Sequence, residues 1–400
     1  MQRIVEKSWI FFAALALGLG LGFVAVAEEG EQAEPSTEEG AEEAGAEGGK
    51  SGAKAVPTLF PGVVLADPRG KADLTVCSQN LKLLGTFEEM KKKNIKYTQG
   101  AHNEKLDALA TRFLKAKCDV VALQEVMGDS VTEGESALKP LVARLKARGN
   151  REFEAKVGPT AEGGMALGFL VAKDRASIIN VLPYARVELP KLVAKQRPRF
   201  FSRTPLEIQL SVQSRHDDTT KVVSLVNFHL KSKRGGEGDP TGLEWETFRM
   251  EMAEGFRRII EVRHQKAFAA NEQILVVLGD RNSNFDVSSA RILDGSLTLE
   301  NFQADGGCRV SKRGFPVCKP GKQMPQRLFS VLTSNQEVAT YQGTFSYKGE
   351  YSWLDDILMP AESLPYAWLT STSEGRYDAG VISEPEAASD HAMVFVRLNW

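Results

Sequence analysis

Apolar residues in this chain gather in short runs that stop at polar ones, and the lengths of the runs predict the elements. Runs of four to seven residues read as strands at Leu74–Ser78, Val120–Gln124, Ala166–Ala172, Leu206–Val212, Val222–Phe228, Ile274–Leu278, Asp356–Met359 and Met393–Leu398. Elsewhere the period lengthens to that of a helix. Glu104–Lys117 places Leu106, Leu109, Phe113 and Leu114 on one face, and Thr241–Gln265 opens on Thr-Gly-Leu-Glu, a capping-box signature, with Asp239 and Pro240 just ahead. Short polar connections among the middle strands predict hairpins, and the helices predict crossovers. The expected architecture is mixed sheets covered by helices, in one domain of about 340 residues without internal repeats.

The first 56 residues stand apart from this pattern. Met1–Lys7 is weakly basic, Trp9–Val26 is nearly all apolar, and Ala25-Val26-Ala27 is a small-x-small site, so residues 1–27 read as a secretory signal peptide. The competing reading is an uncleaved membrane anchor, because Ser8–Ala27 is just long enough to span a bilayer. No Cys follows the apolar run to suggest a lipid anchor. Residues 28–56 are rich in Glu, Gly and Ala with few large apolar side chains, a composition expected of a disordered linker. The domain proper is then residues 57–400. An extracytoplasmic location, periplasmic or secreted, is expected.

Charge changes the picture only slightly. The chain has 50 Lys and Arg against 52 Asp and Glu; four and ten of these fall in residues 1–56, leaving 46 against 42 in the domain. A net charge of about +4 is compatible with a polyanionic substrate and diagnostic of nothing. Of the four cysteines, Cys308 and Cys318 bracket a polar basic segment and are expected to close a loop as a disulfide, whereas Cys77 and Cys118 lie in apolar runs and are expected to be buried small residues. No Cys or His spacing supports a zinc site. His102, His216 and His264 lack suggestive neighbours and read as surface residues.

Candidate chemistry sits where the apolar runs end. The run Asp119–Leu123 leads into Gln124 and Glu125, and Ile274–Leu278 into Gly279, Asp280 and Asn282, so both carboxylates project from strand ends. Val226–Phe228 ends in His229 and is followed by Lys231, Lys233 and Arg234, which place an imidazole among cations suited to a phosphate. Ser389-Asp390-His391 immediately precedes a strand and offers a ligand carboxylate beside a proton-transfer imidazole. Each alone has a bland reading, as an Asx turn, a strand cap or a solvated loop.

Together, Ser78-Gln79-Asn80, Leu123-Gln124-Glu125, Asn227-Phe-His229-Leu-Lys231-Ser-Lys233, Gly279-Asp280-Arg-Asn282, Ser352-Trp-Leu-Asp355 and Ser389-Asp390-His391 resemble the endonuclease/exonuclease/phosphatase superfamily, the DNase I-like group, in its motif order. The resemblance runs from about Leu74 to Leu398 and implies an α+β, four-layer α/β/β/α sandwich of two mixed sheets with its site at one rim. It implies a divalent cation, Mg²⁺ with Mn²⁺ or Ca²⁺ as alternatives, held by Glu125 with Asn80 and Asp390. Asp280 and Asn282 would face the attacking water and the scissile phosphate, Asp355 would orient His391, and His229 would be the second imidazole at the phosphate. Either His391 or Asp280 would take the water's proton. Hard oxygen ligands suit Mg²⁺, and an Asp on one imidazole nitrogen fixes the tautomer.

Two positions depart from the family pattern. Arg281 stands where relatives carry an aromatic or aliphatic residue, and its side chain is expected to point away from the metal. Nuclease relatives pair the first histidine with an acid on a middle strand, but Gly164–Leu170 contains none and Glu162 lies just ahead, so His229 is expected to position phosphate rather than act as a strong acid. The expected substrate is nucleic acid, DNA or RNA, met by a monomer with no obligate protein partner. Lys231, Lys233, Arg234 and the basic stretches Lys195–Arg203 and Arg309–Arg327 would contact backbone phosphates. The alternatives are a secreted phospholipid phosphodiesterase or a phosphatase, disfavoured by the scattered aromatics of Tyr341–Tyr351, and a binding module without activity, disfavoured by the competent residue at every site position.

Overall fold

The computed structural model describes residues 71–192, 197–233, 245–270, 273–297, 308–310, 316–318, 327–334, 343–347, 350–369 and 376–400. The signal-peptide and linker expectations for residues 1–56, the capping box at Thr241 and the side chain of Arg234 lie outside them. In chain order the strands are β1 Leu74–Leu84, β2 Val120–Met127, β3 Phe153–Val157, β4 Met165–Ala172, β5 Ser177–Pro183, β6 Leu206–Gln213, β7 Thr220–His229, β8 Gln273–Asp280, β9 Cys308–Val310, β10 Pro316–Cys318, β11 Leu328–Ser330, β12 Phe345–Tyr347, β13 Glu350–Ser352, β14 Asp355–Pro360, β15 Trp368–Leu369, β16 Arg376–Tyr377, β17 Ala379–Ile382 and β18 Met393–Leu398. The helices are α1 Phe87–Lys93, α2 Gln99–Ala116, α3 Val131–Gly149, α4 Glu246–Ala270 and α5 Ser288–Leu293.

Two six-stranded mixed sheets result. Their orders are β17-β18-β1-β2-β4-β3 and β11-β14-β8-β7-β6-β5, and each contains one parallel pair, β1 with β2 and β7 with β8. A parallel pair needs a crossover, supplied by α1 and α2 in the first sheet and by α4 in the second. Strand residues alternate between two buried faces. Val76, Val120, Leu225 and Val276 enter the core between the sheets; their neighbours Cys77 and Val121 pack with α2 and α3, and Val226 and Val277 with α4. The layers are therefore helix, sheet, sheet, helix, the expected α+β sandwich. The apolar runs lack alternation because both faces of each central strand are covered.

Helix ends follow local chemistry. Thr98 caps α2 by accepting from the Ala101 amide at 3.1 Å, and Lys117 ends it in the left-handed region at φ 57°. Gln124 Nε2 donates to Asn227 Oδ1 at 2.8 Å, and Asn227 Nδ2 donates to the carbonyls of Leu123 and Gly168 at 3.0 and 3.1 Å. This buried exchange ties one sheet to the other.

Two expectations are corrected. Cys77 and Cys118 form a disulfide with a Cα separation of 5.9 Å, because Cys118 lies two residues before β2, the parallel neighbour of β1. Cys308 and Cys318 face each other in the β9–β10 ladder, and their side chains lie outside the described set. His102 and His264 are buried rather than superficial. His102 packs edge-on against Phe87 and Tyr97, and His264 of α4 lies 3.4 Å from buried Glu207 on β6. His216 is exposed as expected.

The disulfide spans 41 residues. Replacing both partners, Cys77→Ala with Cys118→Ala, is expected to lower unfolding stability by about 3–4 kcal/mol. Denaturant titration checks this; a midpoint equal to that of the parent would contradict it.

Candidate active site

Strand register brings the scattered motifs to one rim. Asn80 lies beside Gln124 in the β1–β2 pair, one residue from Glu125, and His229 lies beside Asp280 at the ends of β7 and β8. β14 runs antiparallel to β8 with Asp355 opposite Asp280, and β18 runs antiparallel to β1 just after His391. Carboxyl ends of four strands thus meet the amino ends of two others. Asn80 joins the two sheets, its Nδ2 donating to Glu125 Oε1 at 3.3 Å and to Asp280 Oδ2 at 2.9 Å.

Local backbone distortion sets these side chains. Lys82 and Leu83 have φ of 49° and 62°, and the β1–β2 register shifts between Asn80 and Leu84. This bulge aims the Lys82 amide at Asn80 Oδ1 and the Leu83 amide at Glu125 Oε2, each at 2.9 Å. Glu125 itself has φ 63°, at a second register shift between β2 and β4. Left-handed residues other than glycine cost on the order of 1–3 kcal/mol and persist where the surroundings impose them. Here two donated backbone hydrogen bonds hold both side chains.

Charge is concentrated beside them. Lys82 Nζ stands 3.3 Å from Asp390 Oδ2. Lys105 of α2 reaches the carbonyls of Lys82 and Leu83 at 2.8 and 3.3 Å, and burial with the Lys82 charge pulls its pKa down to about 8 against Asp390 and Glu125. Glu125 and Asp390 are thus on the same side of the molecule. Glu125, Asp280 and Asp390 offer carboxylate oxygens near the Asn80 amide, whose Nδ2 faces Glu125 and Asp280 and whose Oδ1 accepts from the Lys82 amide. The Asn80 amide and the Lys82 ammonium already stand on these carboxylates, where a cation's charge also suits, so the residues fit a divalent ion.

Asp280, Asp355 and His391 also lie close enough to share an ion. Their contacts favour a proton-transfer group instead. Asp355 Oδ2 is 2.8 Å from His391 Nδ1, and both residues are buried. Burial lowers the imidazole's pKa, but the Asp355 charge and hydrogen bond, with Asp280 and Asp390, outweigh it and raise the net value. Burial likewise raises Asp280, with Asp355 adding to it and His391 opposing. Thr344 fixes the pair from behind: its hydroxyl accepts from the Leu354 and Asp355 amides, and its carbonyl accepts from the Ala392 amide at 2.7 Å. The Phe345 ring packs against His391, centroids 4.8 Å apart.

His229 differs from His391. Its Nε2 lies 3.4 Å from Asp280 Oδ2, while its buried Nδ1 has no hydrogen-bond partner among the described residues. Burial, then the charges of Arg203 and His391, hold it well below the ordinary histidine value. The ring is therefore uncharged near neutral pH. At the start of β4, Met165 Sδ lies 3.8 Å from the Arg203 guanidinium, and the Glu162 side chain is outside the described set. Arg203, the last residue of the basic stretch expected to contact phosphates, is buried and its charge acts on His229.

The remaining expected residues have mixed placements. Asn282, at φ 52°, donates its amide to Asp280 Oδ1 at 2.7 Å and its Nδ2 to the Leu230 carbonyl at 3.0 Å, so its side chain braces the exit of β7. Arg281 turns away to Asp356 at 2.8 Å and the Trp353 carbonyl at 2.9 Å. Lys231 lies over the Trp245 ring at 4.9 Å. Lys233 is half-buried, its pKa lowered by burial and by Arg249 and raised in part by Asp280.

No protein-family model and no curated protein matches the sequence. Solved structures similar to it include the human Nocturnin catalytic domain with bound sulfate, 14% identical, covering 84% of this chain and 96% of that one at a TM-score of 0.49. An endonuclease/exonuclease/phosphatase from Bacteroides vulgatus is 12% identical, covers 82% and 98%, and scores 0.47. A mannosyl-6-phosphatase from Bacteroides thetaiotaomicron is 12% identical, covers 82% and 100%, and scores 0.43. All three scores fall below one half, so the fold rests on the strand order above and the chemistry on the residues.

Gly279 leads into Asp280 at φ 149°, and a Cβ there would lie 1.9 Å from the Phe228 carbonyl oxygen. Gly279→Ala is expected to destabilise the protein by at least about 3 kcal/mol, as backbone strain and overpacking combine. Thermal unfolding measures this, and a melting temperature within 2 °C of the parent, on the order of 1 kcal/mol for a domain this size, would contradict it.

Proposed function

We propose that this protein is an exported, divalent-cation-dependent phosphodiesterase that cleaves nucleic acid by attack of water on the scissile phosphate. The observation that carries the reading is the meeting of Asn80, Glu125, His229, Asp280, Asp355, Asp390 and His391 at one rim, joined across two sheets by the Asn80 amide. Glu125, Asn80 and Asp390 would hold the cation, which when bound stabilises negative charge on the phosphoryl oxygens. The protein's own groups do the rest. Asp355 fixes the His391 tautomer and leaves Nε2 toward the reacting ester. Asp280, buried and more basic than an ordinary carboxylate, accepts the water's proton, His391, kept protonated by Asp355, gives a proton to the leaving oxygen, and neutral His229 donates a hydrogen bond to a phosphate oxygen.

Several features support nucleic acid as the substrate and export as the setting. Lys231, Lys233 and Arg203 supply cations on the β7 side of the site. The buried Cys77–Cys118 disulfide suits an oxidising compartment, in agreement with the apolar segment and Ala-x-Ala site near the start of the sequence.

The test incubates the purified protein with plasmid DNA, RNA, sphingomyelin and inositol polyphosphates, with Mg²⁺ or with EDTA. Nucleic acid cleavage abolished by EDTA is expected, and hydrolysis confined to the lipid would reject the substrate. His391→Ala is expected to lower kcat by ~10²–10⁴-fold with little change in KM, as for loss of a proton-transfer group. Steady-state kinetics decide it; an unchanged kcat would remove His391 from the mechanism.

A further inference from the structure

The loop that delivers Asp390 and His391 is held by a residue far away in sequence and absent from every motif. Arg112 lies on the face of α2 that packs against the first sheet, and it is fully buried. Its Nη1 donates to Gln79 Oε1 at 2.7 Å and to the His391 carbonyl at 2.8 Å. Its Nη2 donates to the carbonyls of Pro385, at 2.9 Å, and Ser383. Gln79 closes the ring, its Nε2 donating to the carbonyls of Asn80 and His391 at 2.7 and 3.2 Å.

These partners are carbonyls and an amide, with no carboxylate among them. A buried cation without a counter-ion is a costly filler for an interface whose neighbouring positions are Leu109 and Phe113. What the guanidinium supplies is geometry: a planar fork with fixed donor directions grips three carbonyls of one loop and the residue before Asn80. Burial pulls its pKa down to about 10, with Asp355 acting the other way, so the fork remains charged at neutral pH.

We propose that Arg112 is a positioning residue for the reaction: with Gln79 it sets the Ser383–His391 loop against β1, so that His391 Nδ1 meets Asp355 and Asp390 stays beside Lys82. The proposal rests on the phosphodiesterase reading above. A misplacement of about 1 Å is enough to cost ~10²-fold in rate.

The test compares the full protein with Arg112→Ala, and uses Leu141→Ala in α3 as a core variant that loses stability away from the site. Two readouts are taken: kcat and KM on the diester substrate, and the imidazole N–H resonance of His391 in ¹⁵N-histidine NMR. Arg112→Ala is expected to lose ~10²-fold in kcat with KM within about twofold, and to shift or lose the His391 resonance. Millimolar guanidinium, but not urea, is expected to restore part of both, and Leu141→Ala to keep both. An active parent with an unchanged kcat and an unshifted resonance in Arg112→Ala overturns the proposal. A parent inactive on every phosphoester, with a resonance that still depends on Arg112, overturns the functional reading and leaves the positioning intact. If Arg112→Ala does not fold, Gln79→Met replaces it, with a smaller kcat loss and the same shift expected. An unaltered Gln79→Met, or failure of both variants to fold, rejects positioning in favour of general scaffolding.

Discussion

Everything at the rim depends on how carboxylates from two different sheets can face each other in a largely dry place. Glu125 comes from the first sheet and Asp280 from the second, and the Asn80 amide donates to both. Without a donor between them, like charges in low dielectric would force protonation or separation. The bulge at Lys82 and Leu83 and the left-handed backbone of Glu125 bring those groups to the amide. The cross-sheet exchange between Gln124 and Asn227 keeps the sheets in step below it.

The two histidines show how one rim yields two kinds of imidazole. His391 has a carboxylate on Nδ1 and becomes more basic; His229 has Arg203 nearby, an unpartnered buried Nδ1, and stays neutral. Environment rather than residue type separates a proton-handling ring from a hydrogen-bonding one. That division makes sense of Gly164–Leu170, which has no carboxylate for His229.

Much of this was legible in the sequence because the side chains of the candidate site interrupt apolar runs. A polar residue at the end of a buried strand stands out, so Asn80, Glu125, His229, Asp280 and Asp355 could be picked by position, and the central strands by their continuous apolarity. Other features depend on neighbours that no local pattern reveals. Pairing Cys77 with Cys118 requires knowing that β1 and β2 are adjacent and parallel. Arg112 and Thr344 act through backbone carbonyls and amides of distant segments, and within their own stretches they look like an ordinary helix arginine and a turn threonine. His264 seemed superficial because its partner, Glu207, lies on β6, far away in sequence.

The central claim is that one divalent cation belongs between Asn80, Glu125 and Asp390, next to the Asp355–His391 pair. Crystals of the protein soaked in Mn²⁺ and measured at the manganese absorption edge test it directly. The account predicts an anomalous peak within bonding distance of the Glu125 carboxylate. A peak confined to Asp355 and His391, or none at this rim in crystals that bind Mn²⁺ elsewhere, would contradict it.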